Sequence, residues 1–341
     1  MTKEVRFGDI VISERNRTVV IAEAACEHQG SLESAKRLVD LAKEAGADVI
    51  KFQLHLPEDE MLPGSIKFWA GSMDEVLERV NLSPKPHAEL MRHCQRVGIQ
   101  YLCTPFCAKA ADVLEDLGVE AFKIGSGEMT NIPMLRHIAR KGKPMLVSTG
   151  MATLEEIRET VKALKEEGAE FVLMNCTSAY PPRYEEVNLG FIPRLREMFG
   201  VLVGHSDHTP DMWTALGAVA LGARVIEKHF TIDRRLNGPD CHISLEPAEL
   251  KIMVEAIRKL EAALGAEKNV YPEEQVVREW AHHSVVSLCP IPAGTAILPE
   301  MIGVKRPGRG IPARHLESLY GRVATRDIAA NAILQWADVG G

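Results

Sequence analysis

The chain has no cysteine framework. Its seven cysteines are odd in number, none forms a CxxC pair, and several lie inside apolar runs, where free thiols sit buried. This argues against a disulfide-stapled fold. Cys103 and Cys107 are spaced like possible ligands, but one ends a strand-like run and the other opens a helical one, which argues against a zinc site. Positive charge is not in excess either. Forty Lys and Arg face 47 Asp and Glu, for a net charge of −7 and a sequence pI near 6.0. That excludes a broadly basic nucleic-acid surface. No apolar run approaches the roughly 18 residues of a membrane span, and none follows the mixed charges of the first twenty residues. The expectation is a soluble protein retained in the cytoplasm, with no membrane or nucleic-acid partner. There is no low-complexity tract and no solenoid-type repeat.

What is present is an alternation. Short runs rich in Val, Ile and Leu occupy residues 19–23, 48–53, 99–106, 120–128, 144–150, 171–180, 201–209 and 224–230. Helical periodicity fits 32–44, 86–97, 108–117, 132–141, 154–167, 192–198, 211–221 and 247–264. Thr153 and Glu156 predict a capping box, and Thr209 a cap with Pro210 at the first helical position. Gly46, Gly98, Gly118 and Gly222 stand where helices should stop. Such an order predicts a (β/α)8 TIM barrel over residues 1–265. A barrel takes roughly 250 residues, so this chain of 341 has room for a second unit. Residues 266–282 are polar and read as a linker. Residues 283–341, with short strands and turns rich in Pro and Gly, read as a small, mostly β module. A long insert at 54–85 contains Trp69 and reads equally as a flap over the barrel mouth or a surface excursion.

Barrel active sites sit at the C-terminal ends of the strands. Here those ends carry Glu23, Lys51, Gln53, Thr104, Lys123, Ser126 and Glu128 in the first half of the chain. Ser148, Ser178, Tyr180, Ser206, Asp207, His208 and His229 follow. His208 and His229 end consecutive strands beside Asp207 and Asp240. Two imidazoles with oxygen ligands suit Mn, Fe, Co or Zn. Lys51 and Lys123 suit either Schiff-base chemistry or an anion, and the surrounding serines and Gly125–Ser126–Gly127 favour the anion. Glu23 and Glu128 are either solvated rim charges or groups that accept sugar hydroxyls and move protons. Tyr180–Pro181–Pro182 is a stiff turn that would hold the Tyr180 hydroxyl over the mouth. His28 reads equally as a packing or a site residue, and His205 is expected to face elsewhere.

These segments, in this order, resemble the sialic acid synthase family. The motifs are IAEAACEHQG, GADVIKFQ, TPF, KIGSGE, STGMATLEEI, NCTSAYP, GHSDHT and VIEKHFTID with GPD beyond. They are followed by a C-terminal SAF (antifreeze-like) module with KRPGRGI at 305–311. The resemblance runs from about residue 18 to 338. It implies condensation of phosphoenolpyruvate with the open-chain aldehyde of an N-acetylated hexosamine, giving a nine-carbon 2-keto-3-deoxy acid and phosphate. It implies a divalent metal on His208 and His229, Mn2+ first, with Mg2+ or Co2+ as other candidates. Lys51, Thr104, Lys123, Ser126, Ser148, Ser178 and Ser206 match positions that bind phosphoenolpyruvate. Glu23, Gln53, Glu128, Tyr180 and Asp240 match positions near the sugar or the reacting centre, with Glu23, Glu128 and His229 as catalytic groups. The family is homodimeric, its SAF module capping the partner's barrel. This implies that Arg306 reaches the N-acetyl group in the other subunit of a domain-swapped homodimer, with Trp280 near the acceptor.

The chain departs from the family pattern at three places. Glu27–His28–Gln29–Gly30 stands where NHNG is common, Asn175 where His is common, and Cys241–His242 follows GPD. All are expected near the sugar. N-acetylmannosamine is the default acceptor. A 2,4-diacetamido hexose, leading to a legionaminic- or pseudaminic-type acid, and a spore-coat or surface-polysaccharide sugar compete with it. A synthase making a shorter keto acid from a phosphorylated sugar would need a second basic cluster, which the sequence does not offer. A non-catalytic or ice-binding role, suggested by the SAF module alone, has no use for Lys51, Lys123, His208 and His229 together.

Overall fold

The computed structural model describes residues 4–68, 71–236, 238 and 240–340; Trp69 falls outside them. The chain divides into two compact units, Met1–Gly265 and Ala266–Gly341.

The first unit is an eight-stranded parallel sheet. Its strands are β1 Val19–Ala25, β2 Val49–Leu54, β3 Gln100–Pro105, β4 Phe122–Ile124, β5 Met145–Ser148, β6 Phe171–Cys176, β7 Leu202–Asp207 and β8 Val225–His229. The pairing order is β3-β2-β1-β8-β7-β6-β5-β4, and β3 runs beside β4, so the ring is nearly closed. Eight helices follow the strands: α1 Leu32–Glu44, α2 Pro84–Val97, α3 Ala108–Asp116, α4 Ile132–Ala139, α5 Leu154–Glu166, α6 Phe191–Phe199, α7 Trp213–Ala220 and α8 Pro247–Ala263. The Thr153–Glu156 capping box opens α5. Gly98, with φ of 73°, closes α2 in the left-handed region that glycine adopts at no steric cost.

The structure corrects the expectation at Thr209. Helix α7 starts at Trp213, not at 211, and Met212 is its cap. Thr209 instead gives its N–H and hydroxyl to Asp207, both at 2.9 Å. A buried carboxylate that needs donors has taken the threonine from the helix start.

Side chains alternate across each strand. One set packs outward under the helices, as Val20, Ile50, Phe52 and Ile226 do. The other fills the barrel: Val19, Ile21, Val49, Leu102, Ala121, Leu146, Val172, Met174, Leu202 and Val225 form one buried cluster. The same cluster holds Val5, Phe7 and Ile12. These come from a hairpin of Glu4–Phe7 and Ile10–Ser13 that seals the end of the barrel opposite the site. No strand was expected before residue 19, although Gly8–Asp9 between two alternating tetrapeptides is a hairpin signal.

The 54–85 insert holds short helices at Pro57–Glu60 and Met73–Val80. In the second unit, Ser284–Ser287 pairs antiparallel with Ile302–Lys305, and a core of its own includes Val285, Ile291, Ile297, Ile302, Ile311 and Leu334. The segment read as a plain linker contains a helix, Pro272–Ala281, with Pro272 at a position where its missing N–H costs nothing.

Candidate active site

Inside the barrel, the inward positions that are apolar at one end turn polar at the other. Glu23 lies opposite Lys51 in register, Gln53 opposite Thr104, Ser206 opposite Glu227, and His229 opposite Glu23. Lys51 Nζ lies 2.9 Å from Glu23 Oε2 and 3.5 Å from Glu227 Oε1, and donates to Thr104 Oγ1 at 3.0 Å. Lys123 Nζ donates to Ser148 Oγ at 2.7 Å and to the Ile124 carbonyl at 2.9 Å, and lies 3.9 Å from Glu227 Oε1. Ser206 donates to Glu227 Oε1 at 3.2 Å, and the Gln53 amide to Glu23 Oε1 at 2.9 Å. All of these except Gln53 are buried.

Burial sets the protonation of this layer, and charge partners then sort it. Desolvation pushes Glu23 up to about 7, and the nearby Glu227 charge adds to this while Lys51 opposes it. Burial would also raise Glu227, but the ammonium groups of Lys123 and Lys51 outweigh it and hold Glu227 below the usual carboxylate range. Burial lowers Lys123, and Glu227 only partly compensates. For Lys51, the two facing carboxylates overcome the burial penalty and raise its pKa. Glu227 is therefore the anionic hinge between two cations, and the sequence reading missed it. Its signal was available: in Val225–Ile226–Glu227–Lys228–His229, strand alternation puts Glu227 on the inward face with His229.

Beyond the strand ends, Gly150 donates its N–H to Ser126 Oγ at 3.1 Å, and a Cβ on Gly150 would lie 2.2 Å from Ser178 Oγ and 2.6 Å from Ser126 Oγ. The missing side chain leaves a cradle of two hydroxyls and backbone, suited to an oxyanion. Glu128 stands beside it. Its Oε2 is buried without a hydrogen-bond partner, and desolvation pushes its carboxyl up to about 7. A cavity of about 760 Å³ opens next to Ser178 and runs out past Met151 and Phe191.

At the ends of the neighbouring strands β7 and β8 stand the imidazoles, His208 Nδ1 lying 4.0 Å from Cys176 Sγ, which is itself 3.5 Å from Ser126 Oγ. The His208 and His229 rings lie 5.3 Å apart. His208 Nδ1 donates to the Thr177 carbonyl at 2.8 Å, and although burial opposes it, the neighbouring Cys176 and this bond raise the pKa of the ring. His229 Nδ1 is buried without a hydrogen-bond partner, 3.7 Å from Asp240 Oδ2. Burial, with His208 facing it, holds His229 well below the ordinary imidazole range. It is a neutral imidazole, the form that binds metal. Tyr180 stacks on His208 at 4.2 Å and meets His229 edge-on at 5.8 Å. Among the described residues no three His, Cys, Asp or Glu converge as a ready-made set. The fit is to a cation that takes two nitrogens and completes its shell with oxygen from substrate or water.

The expectation that Asp207 lies beside these histidines is not met. Asp207 faces outward, paired with Lys228 at 3.1 Å and accepting from Thr214 Oγ1 at 2.7 Å. His205 is likewise buried away from the mouth, against the Asn175 carbonyl at 3.0 Å. Asn175 gives its amide to the Val187 carbonyl at 3.1 Å and lines the cavity beside Ser178. His28 lies buried behind the mouth, its Nδ1 accepting from Gly30 N at 3.1 Å. Glu27 accepts from the Asp240 N–H at 2.9 Å, and Gln29 donates to the Leu236 carbonyl at 3.0 Å. These two departures fasten the loop that carries Asp240. In the second unit, Arg306 and Trp280 come together, the guanidinium 5.6 Å from the centre of the indole and its Nε donating to the Ala281 carbonyl at 3.0 Å.

Residues 38–269 match the NeuB family and residues 283–340 the SAF domain. N,N'-diacetyllegionaminic acid synthase of Campylobacter jejuni is 38% identical, over 94% of this chain and 99% of that protein. Human N-acetylneuraminate-9-phosphate synthase is 35% identical, over 89% of this chain and 87% of its own. The crystal structure of N-acetylneuraminic acid (sialic acid) synthetase from Leptospira borgpetersenii, in complex with citrate, superposes with a TM-score of 0.74 at 34% identity, covering 81% of this chain and 95% of that one. This chain belongs to the NeuB family of phosphoenolpyruvate-dependent nonulosonic acid synthases, C–C bond-forming transferases, and carries a SAF domain at residues 283–340.

Proposed function

We propose that this enzyme condenses phosphoenolpyruvate with an unphosphorylated N-acetylated hexosamine, N-acetylmannosamine by default, to a nine-carbon 2-keto-3-deoxy acid. The observation that carries the reading is the polarity of one mouth. Lys51, Lys123 and the Ser126–Ser178 cradle suit an anion, and the imidazoles of His208 and His229, with Tyr180, stand beside that cradle. Lys51, Thr104, Lys123, Ser126, Ser148, Ser178 and Ser206 hold phosphoenolpyruvate. C3 of the enol attacks the aldehyde carbon, water adds at C2, and the tetrahedral carbon releases phosphate. Glu128 and Glu23, each pushed up to about 7, can take or give the protons of the water addition near neutral pH. The lysines neutralise charge that grows on the leaving phosphate. His208 and His229 would hold a divalent cation, Mn2+ in the first instance, which would supply Lewis acidity toward the aldehyde. Gln53 and Asp240 orient the sugar.

A 2,4-diacetamido hexose is the second reading, favoured by the diacetyllegionaminic acid synthase that aligns over 99% of its own length. Phosphate release with Mn2+, measured across N-acetylmannosamine, two 2,4-diacetamido hexoses and arabinose 5-phosphate, separates the readings. Release with one unphosphorylated sugar supports the function and names the acceptor; release with the phosphorylated pentose alone overturns it. The working form proposed is a cytoplasmic homodimer in which Arg306, steadied by Trp280, serves the acceptor of the partner. A monomer in sedimentation at all concentrations would sink that part. Among the described residues no helix is long and apolar enough to cross a membrane.

A further inference from the structure

His55 and Glu60 were in none of the expected sites, yet they form a polar chain that ends on the reacting centre. His55 follows β2 two residues after Gln53 and is buried, 6% exposed. Its Nδ1 lies 2.9 and 3.0 Å from the two oxygens of Glu60, in the first helix of the 54–85 insert. Its Nε2 lies 3.2 Å from Gln53 Oε1. The Gln53 Nε2 in turn donates to Glu23 Oε1 at 2.9 Å, and Glu23 pairs with Lys51. Both ring nitrogens of His55 face oxygen atoms, those of Glu60 on one side and that of Gln53 on the other.

The ring is also clamped. It stacks on Phe106 with centroids 4.0 Å apart and planes 16° apart, and its backbone carbonyl accepts from Asn81 Nδ2 at 2.7 Å. What it restrains is the amide of Gln53. In the reverse orientation that amide would set its oxygen against the Glu23 carboxylate and its NH2 against the His55 N–H.

We propose that His55, held by Glu60, is a positioning residue that locks the Gln53 amide toward Glu23 and so fixes the acceptor side of the mouth. The insert, through Glu60, is part of the site's scaffold. The inference rests on the acceptor lying at the Gln53 end of the mouth.

The test is steady-state phosphate release by the full chain, with whichever unphosphorylated hexosamine the wild type turns over. His55→Ala should lower kcat/KM for the acceptor on the order of 10-fold and leave the KM for phosphoenolpyruvate within about twofold, since misplaced orientation is costly only where it acts. Glu60→Gln should lower it less, and His55→Gln, which keeps an N–H for Gln53, should recover most of the loss. In a Gln53→Ala background, His55→Ala should add nothing further. Full additivity there, or an equal rise in the KM for phosphoenolpyruvate, overturns the proposal and leaves His55 a packing residue. If His55→Ala fails to fold, Glu60→Gln in the same cycle decides. Silence of the wild type with every acceptor counts against the proposed function itself; an active wild type with unchanged acceptor kinetics in both variants counts against the positioning role alone.

Discussion

Glu227 accepts a hydrogen bond from Ser206 and faces two ammonium groups, so each lysine's removal should be felt on the phosphoenolpyruvate side. Lys123→Met deletes a charge-assisted hydrogen bond to Ser148 and one of the partners of Glu227. With such a bond contributing about 1.5–3 kcal/mol, the KM for phosphoenolpyruvate should rise on the order of tenfold or more. Saturation curves of phosphate release check this. Glu128 makes a pH prediction. Its carboxyl is raised from 4.5 to about 7, so the folded chain holds a proton that the unfolded chain has released. Between these two values the folded state binds more protons than the unfolded one, and stability therefore falls as pH rises from about 4.5 to about 7, then stays level. The whole effect is at most about 3 kcal/mol. Glu128→Gln should remove this contribution, leaving the similar one of Glu23, so that the slope becomes shallower and the protein is more stable than the parent above pH 7, while turnover falls. Urea denaturation across pH 5–8 reads the first outcome, phosphate release the second.

At the scale of the element, the β7–β8 pair carries two different polar layers on its two faces. Inward, Ser206 and Glu227 serve the site; outward, Asp207 and Lys228 neutralise each other under α7. Lys228 is fully buried, and Asp207 also takes hydrogen bonds from Thr209 and Thr214. Lys228→Met leaves Asp207 a buried charge without its cation, which should cost about 3–5 kcal/mol. Denaturant unfolding should show that loss, with the KM for phosphoenolpyruvate close to that of the parent. A matching rise in that KM would mean that the outward pair belongs to the site. The one-residue alternation that separates these faces is also why Asp207, adjacent to His208 in the chain, is absent from the mouth.

At the scale of the whole molecule, the barrel is an apolar cylinder with one polar end, and its other end is closed by the hairpin of residues 4–13. Phe7 is 3% exposed and packs with Val5, Ile12 and the inward side chains of the strands. Phe7→Ala should destabilise the protein by about 3–5 kcal/mol through lost burial and the cavity left behind. Thermal and urea unfolding check this, and turnover at low temperature should survive because the site lies at the opposite end of the strands.

The sequence by itself determined the eight-strand order, the two-unit plan and most of the strand-end residues that meet in the mouth. These follow from period and punctuation, which are local: apolar runs of strand length, glycines at helix ends, and polar residues at the strands' C-terminal ends. The tertiary structure alone decided which neighbours on one strand face the site. It drew in Glu227 and turned Asp207 and Asn175 outward. It also put the hairpin under the barrel and tied Glu60, from the insert, through His55 to Gln53. The physical reason is the same in each case. A residue's role there depends on partners roughly 20 to 200 positions away, such as Lys51 for Glu227 or the barrel interior for Phe7, and on the direction of its Cβ once the ring closes.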